Sequence, residues 1–269
     1  MSVTAVSPLL LQRYELKYLI PMSMVEPISQ FLECHCSMDY YSQIAPDHFY
    51  VINSLYFDTE WFEFLKRKVE RIEPTWSMRV RSYGHDPKPP FYTEIKLKVN
   101  DFTNKMRAKI DADDWALMLQ TGDIPAGIDA RSRSYLEHFI WLINTYAARP
   151  RVLTQYRRKA YLSDIDLYAR VTFDRDLRFQ PEEGFNVTPD EKQMCHYDHE
   201  EIYPHPEQNV ILELKCEKQV PLWMIQMIKK FELTRNGFSK YGTCVLETMV
   251  EQLPPFDLQS KFHSRGLMP

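Results

Sequence analysis

The sequence predicts an α+β domain built on antiparallel strands, and three observations carry that expectation. Runs of strict apolar/charged alternation recur along the chain, the period-2 pattern of a strand with one buried face. Successive runs are mostly joined by short turns, so the order is not the βαβα of a doubly wound sheet. In run after run, one parity is held by Arg, Lys and an occasional Glu, while the other is apolar.

RYELKYLI (13–20) alternates as a strand, and residues 22–36 read as a helix. VINSLYFD (51–58) is rich in β-branched and aromatic residues, as strands are. Asp58-Thr59 is a natural cap for the helix TEWFEFLKRKVER. SMRVRSYG (77–84) and YTEIKLK (92–98) follow as strands across the turn GHDPKPP, then KMRAKID (105–111). Helices are expected over 111–120 and 131–147, the second striped by Tyr135, Phe139, Leu142 and Ile143, which with Trp141 fits core packing. Strands at 151–163 and 167–179 precede an acidic, Pro-containing stretch without period, 180–208, which reads as a long loop. Strand 209–217, helix 221–233, the turn NGFSKYG (236–242) and a short helix complete the chain. Nothing divides it, so 1–269 reads as one domain with a loose arm at 1–10 and a tail at 255–269.

Composition excludes several classes. The 269 residues are 44% hydrophobic and 26% charged, as in a folded globule. No Walker-type or dinucleotide-binding glycine fingerprint occurs, and only seven residues are Gly. A net charge of −4 does not advertise nucleic-acid binding. Five Cys without a secretory-type start suggest reduced thiols and a cytoplasmic setting, and no apolar run approaches a membrane span.

The charged parity comprises Arg13, Glu15 and Lys17; Arg79 and Arg81; Glu94, Lys96 and Lys98; Lys105, Arg107 and Lys109; Arg158; Arg170 with Thr172 and Asp174; and Glu213, Lys215 and Glu217. Each face alone suits the wet side of a half-buried sheet. Together they also suit a barrel with that face inside. Two like charges ~6 Å apart repel by roughly 3 kcal/mol at an effective dielectric near 20, so such a lumen calls for a bound polyanion. Arg meets phosphate oxygens in pairs, and Lys acts as a movable point charge. Glu15, Glu94 and Glu213, each two residues before a Lys, either neutralise that Lys or ligate a hard cation such as Mg²⁺ or Mn²⁺.

The E-x-K pairs, SLYFDT, R-x-R-x-Y-G, Y-x-R-x-A-Y, R-V-x-x-D, L-E-x-K and F-S-K-Y occur in that order between Arg13 and Gly242. Together they resemble the VTC polyphosphate-polymerase domain, a branch of the triphosphate tunnel (CYTH-like) metalloenzymes. The resemblance implies an eight-stranded antiparallel β-barrel with surrounding helices. It further implies transfer of the γ-phosphoryl of ATP onto a polyphosphate chain, with Mn²⁺ or Mg²⁺. Carried over motif by motif, it implies phosphate contacts from Lys17, Arg79, Arg81, Lys96, Lys105, Tyr156, Arg158, Arg170, Ser239 and Lys240, with Arg79, Arg81, Arg158 and Arg170 as catalytic cations. Glu213 is the implied metal carboxylate, with Glu15 and Glu94 as further candidates. The hydrolase branch opens E-x-E-x-K, whereas here the first Glu is Arg13, which favours a polymerase-like branch. The alternatives are an inorganic triphosphatase of the same fold and a non-catalytic polyphosphate-binding module. Because relatives are tied to membranes through other segments, a membrane-protein partner is also implied.

Two further clusters stand out. Cys195, His196, Asp198, His199 and His205 have spacing able to hold zinc but no accompanying C-x-x-C, and Cys34-His35-Cys36 lacks a second ligand pair. No nucleophile signature occurs.

Overall fold

The structure is a computed structural model and describes residues 13–99, 102–166, 168–197, 210–217 and 219–249. Its centre is one antiparallel sheet of β1 (Arg13–Ile20), β3 (Tyr50–Asp58), β4 (Thr75–Tyr83), β5 (Phe91–Val99), β6 (Phe102–Ile110), β7 (Arg149–Ser163), β8 (Ala169–Pro181) and β10 (Val210–Glu217). The spatial order is β1-β10-β8-β7-β3-β4-β5-β6, with β2 (Cys36–Met38) added to β7 and β9 (Cys195–His196) to β8.

The sheet curls so that its two faces differ. Over β3–β7 the convex side buries Leu55, Phe57, Val80, Ile95 and Ala108 under α4 (Trp115–Thr121) and α5 (Ala130–Tyr146). Over β1, β8 and β10 it buries Ile20, Phe173 and Leu214 under α1 (Val25–Leu32) and α6 (Leu222–Lys230). These are the apolar parities expected of the strands, each worth about 1.5–3 kcal/mol per fully buried large side chain. Trp141 is the exception on α5: it is half exposed and stacks on His138 instead of entering the core.

The concave side carries the charged parity. Part of it is apolar: Ile52, Tyr56, Val152, Tyr156, Leu177 and Phe179 receive α3 (Glu63–Glu70) and α7 (Lys240–Met249). Asp58 ties the three elements together. Its carboxylate accepts from the amides of Thr59, Phe64 and Leu65 and from the Tyr241 hydroxyl. It therefore caps a helix that starts five residues downstream at Glu63, later than the sequence suggested. Burial raises its pKa to about 6, although those four donors favour the carboxylate.

Eight antiparallel strands appear as expected, but among the described residues the ladder does not close between β1 and β6. The outer edge of β1 is occupied instead: Tyr18 bridges to Arg235, and the Asn236 amide donates to the Lys17 carbonyl 3.0 Å away. Side chains span the gap, with Lys96 Nζ on β5 3.7 Å from Glu15 Oε2 on β1. Part of the long loop is ordered, since Phe185 and Val187 pack on the convex core and β9 pairs with Arg178 and Phe179. Helix α4 starts at Trp115, not Asp111, after a turn through Asp113 and Asp114.

Candidate functional site

Antiparallel register assembles the site. Arg79 faces Glu94 across β4 and β5, Lys96 faces Lys105, Lys17 faces Glu213, and Arg158 faces Asp174. All lie on the concave side, so residues far apart in sequence line one tunnel.

One wall is built on arginine. The Glu94 carboxylate takes Arg79 Nε at 2.6 Å, Arg81 at 3.5 Å and Arg107 at 3.6 Å. Burial alone would raise the Glu94 pKa, but the guanidiniums of Arg79, Arg81 and Arg107 hold it down at about 2. Arg79 also donates to the Tyr56 hydroxyl at 3.0 Å. The tunnel floor repeats the device. Buried Asp174 accepts two bonds from Arg158, at 2.6 and 2.7 Å, and one from Lys240 at 2.6 Å. These cations outweigh its burial, so Asp174 stays ionised well below the ordinary carboxylate range. Tyr156 lies beneath Arg158 and Lys240, whose cations sit 5.4 and 4.7 Å from its ring centre. Burial opposes ionisation of its phenol, yet the charges of Arg158 and Arg81 pull its pKa down.

The opposite wall is built on lysine. Lys17 lies 3.4 Å from Glu15 and 3.7 Å from Glu213, while Lys215 lies 2.9 Å from Glu213. Burial works against the Lys17 charge, but Glu213 and Glu15 raise its pKa above the usual value. Glu213 is held well below its usual pKa, since Lys215 and Lys17 outweigh its burial, and Glu15 stands within hydrogen-bonding reach. Lys105 is depressed by burial and by Lys96.

Lys68 was not predicted. It projects from α3 and donates to Ser239 Oγ at 3.0 Å. Protein encloses it although its side chain keeps access to the lumen. That enclosure, with Lys17, Lys96 and Arg79 nearby, pushes its pKa down to about 7. Ser239 in turn accepts from the Gly242 amide, placing the positive N-terminal end of α7 in the same space. A signal for Lys68 existed: it sits four residues after Phe64 and three after Leu65, on the helix face that those buried residues define. Arg107 and Asp174 share the charged parity in the sequence, and both prove central.

Arg170 stands toward one end, 3.3 Å from Asp39 and 3.5 Å from the Tyr50 hydroxyl. Arg81 Nε, Arg170 Nε and Thr172 Oγ1 are buried polar atoms that make no hydrogen bond to protein among the described residues. The predicted residues on the strands share the concave side of the sheet, where Ser239 and Lys240 also approach through Lys68 and Asp174. Arg13 lies in β1, but its side chain is outside the described set.

Among the described residues, no group of three or more His, Cys, Asp or Glu could hold a metal by itself. Glu15 and Glu213 nevertheless offer adjacent carboxylates, the donor set that a hard cation combines with phosphate oxygens. Both Glu94 oxygens are engaged by guanidiniums, just as the oxygens of Glu15 and Glu213 face the ammoniums of Lys17, Lys96 and Lys215, so a cation at any of the three would compete with those pairs. Cys195 and His196 are exposed in β9, while Asp198, His199 and His205 lie outside the described residues.

Residues 12–249 match the sequence model of the VTC domain family. The chain belongs to the VTC domain family. A similar curated protein is vacuolar transporter chaperone complex subunit 4 of Trypanosoma brucei brucei, 26% identical over 159 residues. That match covers 49% of this chain and 20% of the trypanosome protein, so the matched stretch spans about a fifth of that protein's length. Among solved structures, an adenylate cyclase-like protein of Bacillus halodurans aligns over 85% of this chain and 95% of its own, with a TM-score of 0.45 and 11% identity. A protein of Pyrococcus horikoshii OT3 aligns over 81% and 86%, with a TM-score of 0.38 and 10% identity. No helix among the described residues of this VTC domain is long and apolar enough to cross a membrane.

Proposed function

We propose that the tunnel is a polyphosphate polymerase site, taking the γ-phosphoryl of ATP onto the end of a polyphosphate chain. One observation supports this above the others: among the described residues cations exceed carboxylates around the lumen, and the buried Nε donors of Arg81 and Arg170 have no protein acceptor. An anionic chain satisfies both. Several Arg and Lys spread along the tunnel suit a row of phosphates better than a single one.

In this reading an oxygen of the acceptor's terminal phosphate attacks the γ-phosphorus in line. The bond from that phosphorus to the bridging β,γ oxygen breaks, and ADP leaves with the electron pair. No protein nucleophile takes part. Arg79, Arg81, Arg158 and Arg170 grip the phosphates and offset charge as it redistributes. Lys17, Lys68, Lys96, Lys105 and Lys240, with Ser239 and Tyr156, complete the grip. Glu94 and Asp174 hold the guanidiniums in their forked orientation. Glu213 and Glu15 would hold Mn²⁺ or Mg²⁺, which supplies further neutralisation of phosphate oxygens.

The trypanosome relative is named as a subunit of a complex, so we extend the proposal to a protein partner for this chain, one that is itself membrane-bound.

Incubating the purified chain with ATP and Mn²⁺ tests the activity. The expected outcome is a lengthening polymer with one ADP released per phosphate added. Orthophosphate released from tripolyphosphate would make it a triphosphatase. A melting shift without turnover would make it a binding module. No response to any phosphate would overturn the tunnel reading.

A further inference from the structure

The two ends of the tunnel are chemically unlike. Along β4 they are marked by Ser77 and Tyr83, about 20 Å apart at the usual rise per residue.

At the Ser77 end lies a cavity of about 440 Å³ beside α3, lined by Lys68, Arg71, Thr75, Ser77, Lys96 and Lys98 among others. Trp76 borders it, but that indole is turned toward the convex side, 5.8 Å from His138 of α5. Among the described residues the cavity therefore offers mainly cations and hydroxyls, with Val69 and a single carboxylate, Glu73, and no free aromatic face.

The Tyr83 end is a ring of tyrosines. Tyr50, Tyr83 and Tyr92 come from the adjoining ends of β3, β4 and β5, and Tyr41 from α2 (Tyr40–Ile44). Tyr41 lies 5.7 Å from Tyr50 and 6.3 Å from Tyr83, with the Tyr41 and Tyr83 rings within 8° of parallel. Tyr83 also meets Tyr92 edge-on at 5.9 Å. Tyr41 is 58% exposed, leaving much of the side chain open. The Asp39 carboxylate fixes the position of α2 by accepting from the Ser42 amide at 2.9 Å, and it also receives the Tyr50 hydroxyl.

The rim is joined to the phosphate grip. Arg107 lays its guanidinium over the Tyr92 ring at 3.9 Å, donates to the Tyr83 hydroxyl at 3.3 Å, and reaches Glu94 at 3.6 Å. Glu94 is the carboxylate that holds Arg79 and Arg81. Moving inward along β4 from Tyr83, Arg81 comes after about 7 Å and Arg79 after about 13 Å. A flat π-surface followed at once by guanidiniums matches a nucleotide, with the base outermost and its phosphates in sequence behind it.

We propose that the tyrosine rim seats the base of the nucleoside triphosphate donor, Tyr41 and Tyr83 stacking on it. The donor then enters from this end with its terminal phosphate pointing inward, and the polyphosphate acceptor approaches from the Lys68–Lys98 cavity. The proposal rests on the polymerase reading and adds to it a direction for the two substrates. Stacking tolerates every base, so purine and pyrimidine nucleotides both serve, with purines favoured by their larger faces.

The test compares two ligands on the full chain by calorimetry: a non-hydrolysable imido analogue of ATP, and inorganic tripolyphosphate, which lacks a base. Tyr41→Ala with Tyr83→Ala is expected to weaken the analogue about tenfold and leave tripolyphosphate within about twofold. Tyr41→Ala alone, at an exposed position where folding is not at stake, is expected to weaken the analogue about threefold, and Tyr41→Trp to restore it or improve on it. Equal weakening of both ligands, or unchanged analogue binding, would overturn the base seat while leaving the phosphate tunnel intact. Binding of neither ligand by the unaltered chain would overturn the polymerase reading, and the base seat with it.

Discussion

The two walls of the tunnel hold their charges in different ways. On the β4–β6 wall, three guanidiniums converge on Glu94, which they hold ionised with its pKa near 2. On the β1–β10 wall, Glu15 and Glu213 are shared among Lys17, Lys215 and the facing Lys96 of β5, and Lys68 across the lumen has no carboxylate within salt-bridge distance among the described residues. Arginine's planar fork can meet its carboxylate and still present spare donors to a ligand, so that wall is organised before anything binds. Lysine offers a compact charge on a flexible stem, and its proton is easier to remove when the site is crowded. The arginine wall therefore sets geometry, the β1–β10 wall keeps Lys17 charged, and Lys68 on α3 can adjust its charge to what the lumen contains.

The largest effect expected from breaking this contrast is on the arginine side. Arg79→Ala with Arg81→Ala should weaken tripolyphosphate binding at least a hundredfold, or about 2.7 kcal/mol, measured by calorimetry. Loss of only a few-fold would remove the arginine wall from the site.

Next comes Glu94→Gln, which leaves Arg79, Arg81 and Arg107 without their shared anion. A stability loss of about 2 kcal/mol is expected in denaturant titrations without ligand, less than for a fully buried pair because the site is open to the lumen. Tripolyphosphate should recover part of it by supplying the missing negative charge. The acid limb provides an independent check. The folded pKa of Glu94 is depressed from 4.5 to about 2, so its contribution is complete above pH 4.5 and is lost as pH falls toward 2. That portion of acid destabilisation should disappear in Glu94→Gln.

Lys68 should show itself through pH. With a pKa near 7 in the empty site, Lys68 is charged below neutrality and loses its charge as pH rises. A bound anion favours the charged form, so binding above pH 7 takes up a proton and affinity falls from pH 7 to 9. Lys68→Arg, charged throughout, should flatten that fall. An unchanged profile would separate Lys68 from the site. The smallest effect is expected at Lys98, 3.3 Å per residue further out on β5 than the contacts described for Lys96: Lys98→Ala should change tripolyphosphate affinity by less than about twofold.

Much of this was legible in the sequence because a strand's period is two. Once Arg79 and Arg81 share a parity with each other, and Lys96 with Glu94, pleating alone puts each set on one face. Motif order then singled out candidate phosphate-binding residues within those sets. What alternation could not show was which carboxylate serves which cation, since that follows from register between strands distant in sequence. Glu94 looked like the partner of Lys96, two residues away, and instead serves Arg79 across β4. Nor could it show that the outer edge of β1 would be taken by Arg235 and Asn236. Lys68 lay outside any strand pattern, and only the docking of α3 on the concave face brings it to Ser239. The tyrosine rim was invisible for a related reason: Tyr41 comes from a five-residue helix and meets Tyr83 only after folding.

The most direct test is a crystal structure of the chain with tripolyphosphate soaked in. Three phosphates are predicted in a row within hydrogen-bond distance of Arg79, Arg81 and Lys96 on the β4–β6 wall, Lys17 on the β1–β10 wall, Lys68 on α3 and Arg158 on the floor. An anion bound only on the convex surface, or a tunnel that stays empty at saturating ligand, would contradict the account.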